Sequence, residues 1–304
     1  MKALYPLRGI ITVLNTPFTA TGDVDFSSLK KNIIESLLAG VSGILVPAMA
    51  SEVNKLTHKE RLKIVETALS ITNGKVPVFA GLSETDFNQS IKLLKSYLKL
   101  GCKQILFQIP YKNEDKFKYR FLKLAELQPE VIMLQDWDSV GYGLPDSLII
   151  DLFEQVEIFR CLKIEVIPAG IKYSRMLDLT NGCLHVSGGW AVTQMIEGLM
   201  RGVHAFMPTG MHWIYTEIYN LWEKGKKEKA TLLFHKILPV LAFSNQHLDI
   251  SIHFFKQLLN KQGIYATSNV REPILPFDFV HQQISEKLID FIIQTENKLK
   301  SYST

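Results

Sequence analysis

The feature that most constrains this chain is an alternation repeated eight times. Short runs rich in β-branched and aromatic residues recur along it: GIITVLNTPF, SGILVPA, KVPVFAGL, KQILFQIP, EVIMLQDW, IFRCLKIE, CLHVSGGW and HAFMPTG. Between them lie seven segments with helical period, DFSSLKKNIIESLLAG, THKERLKIVETALSIT, DFNQSIKLLKSYLKLG, NEDKFKYRFLKLAELQ, PDSLIIDLFEQV, IPAGIKYSRMLDLTNG and AVTQMIEGLMRGV. Runs that are apolar throughout, each followed by a helix, are the strands of a parallel sheet whose faces helices cover. Several segments carry their own punctuation: a capping box from Thr57 to Glu60, and terminal glycines at Gly40, Gly101 and Gly182.

Eight such units predict an α/β fold, a (β/α)8 TIM barrel over residues 1–225. Beyond the eighth run the pattern is helical only, interrupted at QGIYATSNVREPILPF (Gln262 to Phe277). Residues 226–304 therefore read as a C-terminal helical extension that covers the barrel or builds a subunit interface. A doubly wound open sheet would also alternate, but no GxGxxG follows the first run.

Composition narrows the partners. The 34 basic and 30 acidic residues leave a net charge of +4, with no basic block longer than KGKKEK (Lys224 to Lys229), which argues against nucleic acid. Cys102, Cys161 and Cys183 are widely spaced and form no CxxC pair, so neither a disulfide framework nor a zinc site is expected. They read as buried, reduced thiols. The N-terminal stretch has no long apolar leader, and no run reaches the roughly 18 apolar residues of a membrane span. The chain reads as soluble, unprocessed and cytoplasmic, with no membrane partner.

In a barrel of this kind chemistry sits at the C-terminal ends of the strands. The sixth run ends in Lys163-Ile164-Glu165, and period-2 alternation puts Phe159, Cys161 and Lys163 on one face. A lysine at a core position is unusual. Burial lowers the pKa of an amine, and the free amine is the nucleophile that condenses with a 2-oxo acid. The alternative is a lysine that snorkels to the rim or pairs with Glu165 or Asp136. The eight histidines are scattered without metal-ligand spacing; His204 and His212, nearest the expected site, read as structural, and Tyr215, Tyr219 and Trp222 as core.

The stretches TPFTATGDVDFSSL, LLAGVSGILVPAMASEVNKLTHKER, FAGL, LKIE and SGGWAVTQMIEGLMRGVHAFMP resemble the dihydrodipicolinate synthase / N-acetylneuraminate lyase family of Schiff-base-forming barrels. Glu52, Leu56, Thr57, Glu60 and Arg61 match its second-strand motif. The resemblance implies that Lys163 forms the imine, and that Gly188 and Gly189 let the backbone approach a ligand closely. It also implies a homo-oligomer, dimeric or tetrameric.

The departures are equally specific. The family's strand-two Gly-Thr-Thr-Gly-Glu holds the substrate carboxylate; here it is Ala48-Met49-Ala50-Ser51-Glu52, leaving turn amides and Ser51 for an anion. Two successive tyrosines at strand four become Tyr111-Lys112, where Lys112 could take a carboxylate. Strand five usually carries Tyr-Asn-x-Pro, whose tyrosine relays protons. Aligned on VIM, this chain has Leu134-Gln135-Asp136-Trp137, and DSVGYG lacks the arginine that dihydrodipicolinate synthases use for their aldehyde's carboxylate. Asp136, Asp138 and Tyr142 are the candidate replacements for the relay, with Glu165 as a partner for Lys163.

The expectation is a lyase, aldolase or dehydratase, acting through Lys163 on pyruvate or a 3-deoxy-2-oxo acid. It needs no metal or organic cofactor, because the imine is the electron sink. The competing expectation is a catalytically silent barrel that binds a 2-oxo acid or serves as an assembly subunit.

Overall fold

The computed structural model describes residues 2–189 and 192–301. The chain runs β1 (Gly9–Val13), α1 (Phe26–Leu38), β2 (Gly43–Leu45), α2 (His58–Thr72), β3 (Val78–Leu82), α3 (Phe87–Lys99), β4 (Gln104–Phe107) and α4 (Glu114–Ala125). It continues β5 (Val131–Trp137), α5 (Asp146–Gln155), β6 (Phe159–Glu165), α6 (Ala169–Leu179), β7 (His185–Gly188), α7 (Met195–Arg201), β8 (Ala205–Phe206) and α8 (His212–Glu223). Three further helices follow, α9 (Lys227–Ser244), α10 (Leu248–Lys261) and α11 (Phe279–Ser301). Hydrogen-bonded neighbours keep chain order from β1 to β8, and the sheet closes into a barrel. Each expected strand and helix forms, although the strands are shorter than the apolar runs that announced them.

Local chemistry sets the helix ends. Thr57 accepts from the Glu60 amide, and the Glu60 carboxylate accepts from the Thr57 amide, closing the capping box that begins α2. Asp25 accepts from the amides of Ser27 and Ser28 at the start of α1.

One register detail corrects the face expected of β6. Ile132 pairs with Phe159 but Met133 pairs with Cys161, so the ladder shifts at Arg160. The bulge breaks alternation. The Phe159 ring packs edge-on against Phe121 of α4 and Phe153 of α5, on the helix side, whereas the residues after the bulge resume a new alternation.

The chain groups into two compact units, Met1–Arg8 with Pro77–Met207, and Gly9–Val76 with Pro208–Thr304. In the first, β3 to β8 bury an aromatic cluster in which Phe107, Phe121, Phe153 and Phe159 meet in edge-to-face contacts. Cys102 and Cys161 lie buried there as free thiols, and burial pushes Cys102 up to about 12; Cys183, expected to be buried, is only half-buried.

In the second unit, charged pairs tie the segment between α10 and α11 to the β2 loop. Glu52, fully buried, pairs with Lys256 of α10 and accepts from the Arg271 amide at 3.0 Å. Arg271 grips Glu60 with two guanidinium nitrogens and donates to the carbonyls of Gly22 and Lys55. His212 is structural, as expected: its ring lies between the Thr12 hydroxyl at 3.2 Å and the Asn32 side-chain oxygen at 3.1 Å, and burial lowers it to about 4. No helix of the described residues is long and apolar enough to cross a membrane, and no cluster among them offers three metal-ligating side chains.

Glu296 of α11 is buried with one oxygen accepting from Gln262 at 2.6 Å, and burial raises its pKa from 4.5 to about 7. A carboxyl whose folded value lies above its unfolded one stabilises the fold fully below pH 4.5, and that contribution is lost as pH rises through 7. The loss amounts to about 3 kcal/mol. Urea unfolding across this range is expected to show the decline, and Glu296→Gln to flatten it.

Candidate active site

The ladder between β5 and β6 decides which side chains meet. Gln135 is the register partner of Lys163, and Asp136 that of Ile164. Register partners in a sheet point to the same face and successive residues to opposite ones. Asp136 lies on the face covered by α6, where its carboxylate is 2.5 Å from Lys172 Nζ and accepts from the Leu144 amide at 2.8 Å. Lys163, Gln135 and Glu165 lie on the face turned away from α6.

There Lys163 Nζ is 3.0 Å from Glu165 Oε1, with 6% and 7% of the two side chains exposed. The Gln135 amide donates to the other Glu165 oxygen. Gly189, on the neighbouring turn after β7, is what admits the glutamate: a Cβ there would overlap the Glu165 carboxyl and Cγ. Gly188 makes room on the other face, where an added Cβ would lie 2.8 Å from the Tyr173 hydroxyl and 3.0 Å from the Phe206 ring. The close approach expected at these glycines is thus made by the protein's own side chains.

Glu165 also borders a cavity of about 250 Å³ at the ends of β5, β6 and β7. Its wall includes the apolar Trp137, Ile164, Val166, Ile167 and Ala169 and the polar Ser139, Thr193 and Gln194. Asp138 lies at its edge with both carboxylate oxygens turned into its own loop, accepting from Val140 at 3.0 Å and Gly143 at 3.3 Å.

The other expected residues are placed differently. Ser51 donates its hydroxyl to Leu14 O at 2.6 Å, accepts from the Ala48 amide at 3.0 Å and gives its own amide to Ala48 O at 2.9 Å. Its hydroxyl and amide are both engaged by the protein, so the serine expected to hold an anion instead shapes the turn and ties it to Leu14. The Ala50 carbonyl accepts from Asn15 at 2.6 Å. Tyr111 and Lys112 are exposed after β4, with the tyrosine ring against Phe117. Tyr142 gives its hydroxyl to Asp146 at 3.3 Å and its ring to Lys172. His204 stacks on His185 at 5.2 Å, a structural histidine as expected.

The sequence pattern of the dihydrodipicolinate synthetase family matches residues 6–292. The chain belongs to that family. A 4-hydroxy-tetrahydrodipicolinate synthase of Oceanobacillus iheyensis is 26% identical over 93% of this chain and 96% of its own length. An uncharacterised DapA-like lyase of Pyrobaculum arsenaticum is 27% identical over 78% of this chain and 80% of its own. The crystal structure of dihydrodipicolinate synthase from Thermotoga maritima superposes with a TM-score of 0.85 at 20% identity, covering 95% of this chain and 99% of that one.

Two side chains in this member of the dihydrodipicolinate synthetase family escaped the reading of its sequence. Alignment on VIM set Leu134 at the position of the family's tyrosine, but the register puts Gln135 opposite Lys163. Asp136, expected to serve Lys163, is held instead by Lys172, which also donates to the carbonyls of Tyr142 at 2.8 Å and Leu144 at 2.6 Å. A signal for Lys172 was present: with Ala169, Tyr173 and Met176 it forms the buried stripe of α6 at helical spacing.

Burial without water raises the Asp136 pKa, and the Lys172 ammonium opposes that rise. Replacing the acid strands a fully buried ammonium. Asp136→Asn is expected to cost about 3–5 kcal/mol of stability, read from the urea midpoint.

Proposed function

We propose that this chain is a lyase that forms a Schiff base between Lys163 and pyruvate or a 3-deoxy-2-oxo acid. One observation carries the reading: a buried lysine at the C-terminal end of β6 is in contact, at 3.0 Å, with a carboxylate that borders a cavity. Glu165 takes the ammonium proton and frees the amine. The amine adds to the ketone carbon of the 2-oxo acid, and loss of water gives the imine. Glu165 then moves the proton between C3 of the imine and the substrate oxygen, the work done in the family by a tyrosine.

Gln135 positions Glu165 through its amide, and Asp136 holds α6 to β5 through Lys172. Lys112, the exposed cation after β4, is assigned to the substrate carboxylate with Tyr111 beside it. Membership of a lyase family supports the assignment, as does the absence of any disulfide among the described cysteines for a cytoplasmic site of action. Exposed Ile171 on α6 and Met200 on α7 support a homo-oligomer.

The Lys163–Glu165 ion pair also favours a second reading, a silent barrel in which the pair is purely structural. Incubation with pyruvate or a 3-deoxy-2-oxo acid, borohydride reduction and peptide mass analysis separate the two. A reduced adduct on Lys163 that disappears in Lys163→Ala is expected; no adduct across a panel of 2-oxo acids would leave the silent barrel standing. Glu165→Gln is expected to lower turnover by about 10²–10⁴-fold, the range of a general acid–base group.

A further inference from the structure

We infer that Asn73 is a site of spontaneous covalent modification, where the side-chain amide is lost and the backbone passes through a cyclic imide to an aspartyl or isoaspartyl residue. The chain has two Asn-Gly steps, Asn73-Gly74 after α2 and Asn181-Gly182 after α6, and each follows a threonine. Both asparagines are exposed and left-handed, with φ of 45° and 48°, and both glycines are left-handed too, at 75° and 69°. Local sequence and backbone shape treat the two sites alike. Their hydrogen bonding does not.

The attacking atom is the amide nitrogen of the glycine, which has no Cβ to crowd its approach to the asparagine Cγ. That nitrogen must first give up its proton to base. At the end of α6 the proton is held: Gly182 N–H donates to Leu177 O at 2.8 Å and Asn181 N–H to Asp178 O at 3.1 Å, the paired bonds of a Schellman motif. At the end of α2 the helix closes in the simpler left-handed way, with Asn73 N–H donating to Leu69 O at 3.0 Å. Lys75 N–H then donates to Thr72 O at 2.9 Å, and no described residue accepts from the Gly74 N–H between them. Gly74 is also exposed, whereas Gly182 is half-buried, so solvent base reaches the first nitrogen more readily.

The step balances with solvent alone. A bond forms between Gly74 N and Asn73 Cγ as the bond from Cγ to the side-chain nitrogen breaks, and that nitrogen leaves as ammonia with the proton the glycine amide gave up. Water then opens the imide at either carbonyl. One water is consumed and one ammonia released. Either product carries a carboxylate at the C-terminal end of α2, where the helix dipole disfavours negative charge.

The test ages the intact chain at mildly alkaline pH, folded and in guanidinium chloride, and follows the peptides holding Asn73 and Asn181 by mass spectrometry, with fragmentation that separates aspartyl from isoaspartyl. In the folded chain Asn73 is expected to convert at least about fivefold faster than Asn181, the protection that one net hydrogen bond gives. In guanidinium the two rates are expected to converge. Equal or reversed rates in the folded chain overturn the inference, as does a preference for Asn73 that persists undiminished in denaturant, since it would then belong to local sequence. Asn73→Asp, which installs the same charge, is expected to lower the urea midpoint of the chain; an unmoved midpoint overturns the consequence drawn for α2.

Discussion

The register between β5 and β6 is the constraint on which the candidate site depends. It sends two lysine–carboxylate pairs to opposite faces of one sheet: Lys163 with Glu165 on one, Lys172 with Asp136 on the other. A slip of one residue would exchange the faces, because side chains alternate with period 2. Asp136 would then face Lys163, and Gln135 would face α6. The bulge at Arg160 is what sets the alternation of this end of β6, since it resets parity between Phe159 and Lys163.

Each pair obeys the rule that a buried charge must be matched. Lys172 is met by a carboxylate and two carbonyls, which leaves it no donor capacity for chemistry and makes it a brace between α6 and the loop before α5. The Glu52–Lys256 pair braces the second compact unit in the same manner, with the Phe18 ring 4.1 Å from the ammonium and Arg271 beside it. Lys163 differs in its setting. Its partner Glu165 borders a cavity, whereas both buried carboxylates of the bracing pairs are enclosed by their own partners.

The imine chemistry proposed for this chain would differ from the family's in its proton-transfer group rather than in its nucleophile. A tyrosine hydroxyl both donates and accepts, whereas an amide such as that of Gln135 has no readily exchanged acid–base function. The carboxylate two residues beyond the lysine has that function and lies on the lysine's own strand face, an arrangement that needs Gly189 rather than a residue with a Cβ across from it.

The barrel and the lysine were legible in the sequence. Eight apolar runs separated by amphipathic segments of matching length admit few other folds, and Lys163 stood out because a charge at a core position is costly. The strand-to-strand pairing was not legible: a bulge at Arg160 leaves no mark in hydrophobic pattern, and without it parity misplaced Phe159 and alignment set Leu134 where Gln135 stands. Nor could spacing alone show that Ser51 gives its hydroxyl to the Leu14 carbonyl, or that Lys172 would claim Asp136, because both depend on groups brought together from distant points of the chain. Composition and period determine which elements form and which residues are out of place in them; only the tertiary structure decided which carboxylate meets which lysine, because that choice is made by register and packing across separate elements.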